Sequence, residues 1–269
     1  MSDAIISPSN PLARRILKLE ADPDARRKEG CFLLWGSRLV EEGLKDRARV
    51  DHLVLGERAS RRPALRPLLR RVRQQQIPQS VLSDSLLDRL VPGAGDQGLL
   101  AIMRFSIAPL EHALGALKTP LVLVADRIQD PGNVGTLVRL GEAASIAALV
   151  IVPGTADPHH TRAVRASAGS ILRVPLCAAL PFEDWKRVSL ARRIRTVATL
   201  SQGGVAPDRA DLRGPLALVV GNEGEGVSKD WVEAADLRVT VGLGGSVQSL
   251  NVAAAAAILL YEAFRQRQG

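Results

Sequence analysis

Pro120-Leu121-Val122-Leu123-Val124-Ala125 decides the fold. Five apolar residues run without alternation, the pattern of a strand buried on both faces of a sheet. A loop with a glycine follows, Asp126 to Gly132, and then apolar periodicity that predicts a helix over Val134 to Ser145. Downstream, Leu149 to Val152, Ile194 to Ala198, Leu216 to Val220 and Leu237 to Val241 read as four more buried strands. Five such strands with helices between them predict an α/β unit, a mostly parallel sheet covered on both sides.

Upstream, strand and helix alternate at shorter spacing. Arg14 to Leu19, Leu39 to Leu44 and Asp84 to Leu90 read as helices, the last capped by Ser83. Cys31 to Leu34, Val50 to Leu55, a segment bracketed by Ile77 and Val81, and Gln97 to Met103 read as strands. The expected organisation is a small α/β domain over 1–105, a linker over 106–119 and a larger domain over 120–269.

The chain has 269 residues, of which 46% are apolar and 24% charged, ample for packed cores, and a formal net charge of +8. The excess is uneven: 19 Lys and Arg face 13 Asp and Glu in residues 1–107, but 17 face 15 in residues 108–269. Arg58 to Arg73 holds seven arginines and no acid, with Leu65, Leu68, Leu69 and Val72 at helical spacing. Leucines inward and arginines outward make a cationic face, and guanidinium forks match phosphate oxygens, so Arg66, Arg70 and Arg73 are candidate phosphate contacts. Two distant cysteines, Cys31 and Cys177, exclude a disulfide scaffold and fit a reducing cytosol. No apolar run approaches the roughly 20 residues of a membrane span, and Met1 to Asn10 lacks the pattern of a signal peptide. A cytoplasmic location without membrane contact is expected. The pair His159-His160 has no ligand constellation around it, so it reads as a solvated loop and no metal is expected.

Three loops that follow strands carry unusual residues, and ligands of parallel sheets collect at the carboxyl ends of strands. The first, Asn133-Val134-Gly135-Thr136-Leu137-Val138-Arg139, places an amide at a helix start, where it can cap free backbone donors. The second, Gly221-Asn222-Glu223-Gly224-Glu225-Gly226-Val227-Ser228, lets backbone approach a ligand closely. It lacks the Gly-Lys-Ser/Thr ending of a phosphate loop, and its two carboxylates would repel a pyrophosphate. The third runs from Val241 through Gly242, Gly244 and Gly245 to Ser249-Leu250-Asn251-Val252, where Ser249 or Asn251 caps a helix over Val252 to Arg265. The face Ala253, Ala254, Ala257 of that helix is small and apolar, which suits burial or a subunit interface.

Asn-x-Gly-x-x-x-Arg, Gly-Asn-Glu-Gly-x-Gly and Ser-Leu-Asn-Val, in that order and each after a strand, resemble the three motifs of the SpoU/TrmH family of RNA ribose 2′-O-methyltransferases. The spacings from Gly221 to Val241 and from Val241 to Leu250 are also similar to that family, and the likeness covers about residues 120–265. Ser7-Pro8-Ser9-Asn10-Pro11-Leu12, Lys18-Leu19, Phe32-Leu33-Leu34 with Gly36, and Gln97-Gly98 resemble, less specifically, its RNA substrate-binding domain. The resemblance implies a C-terminal parallel-sheet SPOUT domain with a deep trefoil knot, preceded by a smaller α/β ribosomal-protein-like RNA-binding domain. It implies S-adenosyl-L-methionine as cofactor, RNA as partner and a homodimer formed through the C-terminal domain, with a site that draws on both subunits. By motif match, Arg139 becomes the principal catalytic residue, supported by Asn133, Glu223 and Ser249. Gly221, Val241 and Leu250 become cofactor contacts, with Thr199, Leu243 and Asn251 nearby.

The resemblance implies methyl transfer to a ribose 2′-hydroxyl, most naturally in ribosomal RNA given the separate basic front domain. Transfer RNA is the alternative substrate, and a catalytically silent RNA-binding or ribosome-assembly factor is the alternative class. A Rossmann-type oxidoreductase is disfavoured, because no Gly-x-Gly-x-x-Gly follows the Leu121 strand. Arginine side chains stay protonated, so Arg139 suits stabilisation of a growing negative charge or a phosphate clamp better than proton abstraction. Three positions depart from the family pattern: Gly242 replaces a usual Pro, Ala253 a usual Ser, and Trp35 a usual Glu. Trp35 is expected to pack on the small domain's core.

Overall fold

A computed structural model describes residues 4–46, 49–94, 98–178, 180–244 and 249–268. The expected strand residue Gln97 and the loop residues Gly245 to Gln248 lie outside them. The chain forms two units, Met1–Ser106 with His159–Gly169, and Ile107–Pro158 with Ser170–Gly269.

The first unit contains α1 (Pro11–Ala21), α2 (Pro23–Glu29), β1 (Cys31–Trp35), α3 (Ser37–Gly43), β2 (Val50–Gly56), α4 (Glu57–Ser60), α5 (Arg66–Gln74), β3 (Gln79–Leu82), α6 (Asp84–Leu90) and β4 (Leu99–Arg104). Its sheet runs β1-β4-β2-β3, with β2 and β3 parallel and the other neighbours antiparallel. Asn10 opens α1 by accepting from Leu12 N at 2.9 Å, and Pro11, which has no N–H to lose, takes the first turn. Ala13, Ile16 and Leu19 bury one face of that helix, and Trp35 joins the same core. Ser83 caps α6 as its sequence predicts.

The arginine-rich stretch is two helices, not one: a short 3-10 turn at Pro63–Leu65 separates α4 from α5. Proline at 63 and 67 accounts for the break, since it cannot donate to a preceding turn. Leu65 and Val72 are buried, Leu68 and Leu69 half-buried, and Arg66, Arg70 and Arg73 are exposed. Arg71, also exposed, donates to the Leu44 carbonyl at 3.2 Å.

The second unit adds α7 (Leu110–Leu114), β5 (Leu121–Asp126), α8 (Pro131–Ala143), β6 (Ala148–Ile151), β7 (Leu176–Ala178), α10 (Phe182–Arg192), β8 (Arg195–Leu200), β9 (Leu216–Gly221), α11 (Lys229–Glu233), β10 (Leu237–Thr240) and α12 (Val252–Arg267); α9 (Thr161–Ala166) belongs with the first unit. The sheet is β10-β8-β9-β5-β6-β7, parallel throughout. It has a sixth strand, β7, beyond the five expected. Leu110 and Leu114 of α7 enter its core beside Val122, Val150 and Trp185.

Two expectations need correction. His159 is not solvated: its ring is buried, stacked on Phe105 at 3.8 Å and 5.1 Å from Phe32. His160 caps α9, its Nδ1 accepting from Arg162 N at 3.1 Å. On α12, Ala253 is buried but Ala254 is exposed; the packed face is Val252, Ala253, Ala256, Leu259, Leu260 and Ala263. The end of α12 is tied to the base of the sheet by Arg267, which donates to the carbonyls of Thr119 (2.9 Å), Leu212 (3.3 Å) and Gly214.

Candidate functional site

β8, β9 and β10 lie close together in one sheet, so the loops leaving their carboxyl ends converge. They enclose a cavity of about 320 Å³, lined by Thr199 to Gln202, Val220 to Val227, Val241, Leu243, Ser249, Leu250, Val252 and Ala255. That volume lies within the range of small-molecule sites. Of the expected cofactor contacts, Thr199, Gly221, Val241, Leu243 and Leu250 line it, and so do Glu223 and Ser249. Thr199 is fixed by donating from Oγ1 to the Val219 carbonyl at 2.9 Å.

The turn after β9 folds back on itself. A Cβ on Gly221 would stand 2.1 Å from Val227 N and 2.2 Å from the Gly226 carbonyl carbon, so no larger residue fits. Asn222 Oδ1 accepts from Gly224 N at 2.8 Å and Glu225 N at 3.0 Å, an Asx turn that shapes the loop from inside. Gly226 lies at φ 74°, a conformation that favours glycine.

Asn133 does not cap its helix. Asp130 does, its Oδ1 accepting from Gly132 N and, at 3.3 Å, from Asn133 N, with Pro131 in the first turn. The aspartate precedes the proline whose fixed φ starts the helix, so the boundary lies three residues earlier than the apolar pattern indicates. The Asn133 amide is thereby freed for longer-range bonds. Its Nδ2 donates to Glu223 Oε1 at 2.8 Å, and its Oδ1 accepts from Asn251 Nδ2 at 3.1 Å. Asn251, through Oδ1, caps α12 by accepting from Ala253 N at 2.9 Å. Glu223 also accepts from Gln129 N at 3.1 Å and Asp130 N at 3.4 Å. Burial opposes ionisation of this carboxyl, but the donors from Asn133 and the backbone outweigh it and hold the carboxyl below its usual range. The Asn133 amide thus joins all three sequence motifs.

Asn133, Asn251 and Arg139 do not line the cavity. Arg139 lies on the exposed side of α8, and among the described residues no hydrogen bond or ion pair engages its guanidinium. Inspection of the sequence alone passes over Asp130, Gln129, Asn222 and Ser201-Gln202. The Asp-Pro start and the Asn-x-Gly turn were the available signals for Asp130 and Asn222; Gln129 and Ser201-Gln202 carry no local signature. Among the described residues no cluster of His, Cys, Asp or Glu is arranged to hold a metal ion, and no helix is long and apolar enough to cross a membrane.

Residues 120–261 match the model of the SpoU rRNA Methylase family. The chain is 32% identical, over 88% of its length and 89% of the relative's, to the 23S rRNA (guanosine(2553)-2′-O)-methyltransferase RlmP of Bacillus subtilis. It is 31% identical, over 81% of its length and 89% of the relative's, to the 23S rRNA (guanosine-2′-O-)-methyltransferase RlmB of Yersinia pestis. Among solved structures, the SpoU methyltransferase AviRb of Streptomyces viridochromogenes, crystallised with S-adenosylmethionine, superposes with a TM-score of 0.88 at 27% identity, covering 97% of this chain and 99% of that one.

Proposed function

The chain belongs to the SpoU rRNA methylase family, and on that premise we propose that it transfers a methyl group from S-adenosylmethionine to a ribose 2′-hydroxyl of ribosomal RNA. The observation that carries this reading is the joining of the three motif loops through Glu223, Asn133 and Asn251 beside a cavity lined by Gly221. The activities of the two bacterial relatives on 23S rRNA support the substrate.

The cavity suits the methyl donor. Gly221 lets the loop that lines it fold back tightly on Gly226 and Val227, Val241, Leu243 and Leu250 supply an apolar wall for an aromatic base, and Thr199 and Ser249 add hydroxyls. When bound, S-adenosylmethionine supplies an electrophilic methyl group on a sulfonium. The protein's task is then alignment, bringing a ribose oxygen in line with that methyl. In this reading Arg139, exposed on α8, stabilises the negative charge growing on the 2′ oxygen or clamps the adjacent phosphate. Glu223 holds the start of α8, and with it Arg139, in register with the cavity. Asn133, both ends of its amide already bonded within the protein, positions rather than reacts.

Further parts of the reading rest on the same family. Ala254, Ile258, Tyr261 and Phe264 form an exposed stripe at helical spacing on α12, with Tyr261 67% exposed. Such a face supports a homodimer through this unit, with the site completed by the second subunit. The packing of α12 on α8 supports a C-terminal segment threaded as the family's trefoil knot. Residues 1–105 serve as the RNA-binding domain, with Arg66, Arg70 and Arg73 outward for phosphate, and the cytoplasm is the setting.

The test is transfer of radiolabelled methyl from S-adenosylmethionine to deproteinised ribosomal RNA and to transfer RNA. Label on ribosomal RNA, resistant to alkali at one ribose and lost in Arg139→Ala, is expected. Label on transfer RNA alone would reassign the substrate, and no transfer despite cofactor binding would leave a silent RNA-binding factor.

A further inference from the structure

Arg127 has no part in the reading above, yet it holds the cavity's second loop to the strand end beside it. It follows β5 directly and lies in the left-handed region at φ 56°, which a residue with a β-carbon adopts only when its surroundings hold it there. Its carbonyl accepts from Asn222 Nδ2 at 2.9 Å and from Gln129 Nε2 at 3.0 Å, and Gln129 reaches on to the Gly154 carbonyl at 2.9 Å. Its guanidinium bonds the Glu225 carboxylate. Its buried Nε makes no hydrogen bond among the described residues but lies 3.6 Å from Oδ1 of Asp126, an ion pair with a carboxylate that is 1% exposed and whose Oδ2 accepts from Ser228 N at 2.7 Å. Asn222 and Glu225 both line the cavity. The loop from Gly221 to Ser228 is therefore gripped at its start, middle and end by two consecutive residues.

The middle grip matters most. Asn222 fixes Gly224 and Glu225 only through backbone N–H groups, and glycine on either side of Glu225 leaves that turn many conformations to lose when a ligand is enclosed. A guanidinium shared between a buried carboxylate and the Glu225 side chain removes that freedom in advance. A lysine, a single point charge on a flexible stem, offers no fork to span the two carboxylates.

We propose that Arg127 is a positioning residue for the methyl donor: its guanidinium, held between Asp126 and Glu225, locks the Gly224–Gly226 turn in the form that encloses the cofactor, and so sets cofactor affinity without touching the reacting atoms. The proposal rests on the assignment of this cavity to S-adenosylmethionine.

The experiment measures S-adenosylmethionine binding by calorimetry, and KM and kcat on ribosomal RNA, for the full chain, Arg127→Gln, Arg127→Lys, Glu225→Gln and the swapped double variant Arg127→Glu/Glu225→Arg. Each single neutral variant is expected to weaken binding about threefold to thirtyfold, with KM for the donor rising in step and kcat changing less than about threefold. The lysine variant falls between, and the swapped pair does not recover the loss, because it sets a second carboxylate beside the buried Asp126. Glu225 is largely exposed, so Glu225→Gln keeps the test intact should Arg127→Gln fail to fold. Variants that bind the donor as tightly as the wild type, or that lose kcat at constant KM, overturn the latch alone. A wild-type chain that binds no donor overturns the cavity assignment and the latch with it.

Discussion

Asn251 Nδ2 donates to Asn133 Oδ1 at 3.1 Å, linking residues 118 positions apart at the starts of α12 and α8. The same Asn133 passes the connection to Glu223 through its other end. Each amide uses one atom for its neighbour and another for a helix start or a carboxylate, so the direction of every bond in the chain is fixed. Replacing Asn133 by Asp would put a carboxylate against Glu223 and remove the donor between them. Transfer activity is expected to fall at least tenfold, while Asn133→Ser, which keeps a donor, loses less; steady-state kinetics at saturating cofactor separates the two.

Glu223 gives a pH signature. Its carboxyl is held below the usual range in the folded chain by Asn133 and backbone donors against the opposing effect of burial. A depressed carboxyl contributes stability in full above its unfolded pKa, about 4.3, and loses it as pH falls through the lower folded value. The melting temperature of the wild type should exceed that of Glu223→Gln at pH 7, and the gap should close below about pH 4. A gap constant with pH would mean that the carboxylate charge is not what the donors hold.

Gly221→Ala is expected to displace the loop rather than fill a space, because its Cβ would stand 2.1 Å from Val227 N. Overpacking of this kind costs on the order of 1–3 kcal/mol. Denaturant unfolding measures the cost, and calorimetry should show cofactor affinity falling more than tenfold. Gly224→Ala, where the nearest atom is 3.5 Å away, is the control for stability and should unfold as the wild type does.

Arg267 closes the second unit by donating to several carbonyls at the sheet's base, and burial lowers its pKa from the ordinary arginine value. Arg267→Met keeps the apolar stem and leaves those carbonyls without their donor. A loss of about 1–3 kcal/mol in unfolding free energy is expected, with cofactor affinity unchanged in the folded protein.

Arg66, Arg70 and Arg73 are exposed on α5. If they neutralise phosphates, changing all three to Gln should weaken RNA binding across sequences and reduce the slope of log K against log salt by about 2. Unchanged slope would place the RNA elsewhere on the chain.

The parallel sheet was legible because β5, β6 and β9 are nearly continuous apolar runs buried on both faces. β7 escaped because three residues give no period. α2 escaped for a different reason: the side chain it buries is Arg26, which donates to the Leu19 and Glu20 carbonyls at 2.6 and 2.9 Å, so no apolar stripe marks it. At the site, the three motifs were legible as residue types after strands. The roles inside them were not, because the bonds from Asn133 to Glu223 and from Asn251 to Asn133 depend on which loops the sheet order makes neighbours.

The central claim is methylation of a ribose in ribosomal RNA by this chain. The direct measurement is a map of ribose 2′-O-methylation across total RNA from cells with the protein, without it, and with Arg139→Ala in its place. One ribosomal position should be methylated only with the wild-type chain, while all other sites stay unchanged. Identical maps in all three, with the protein present and folded, would contradict the account.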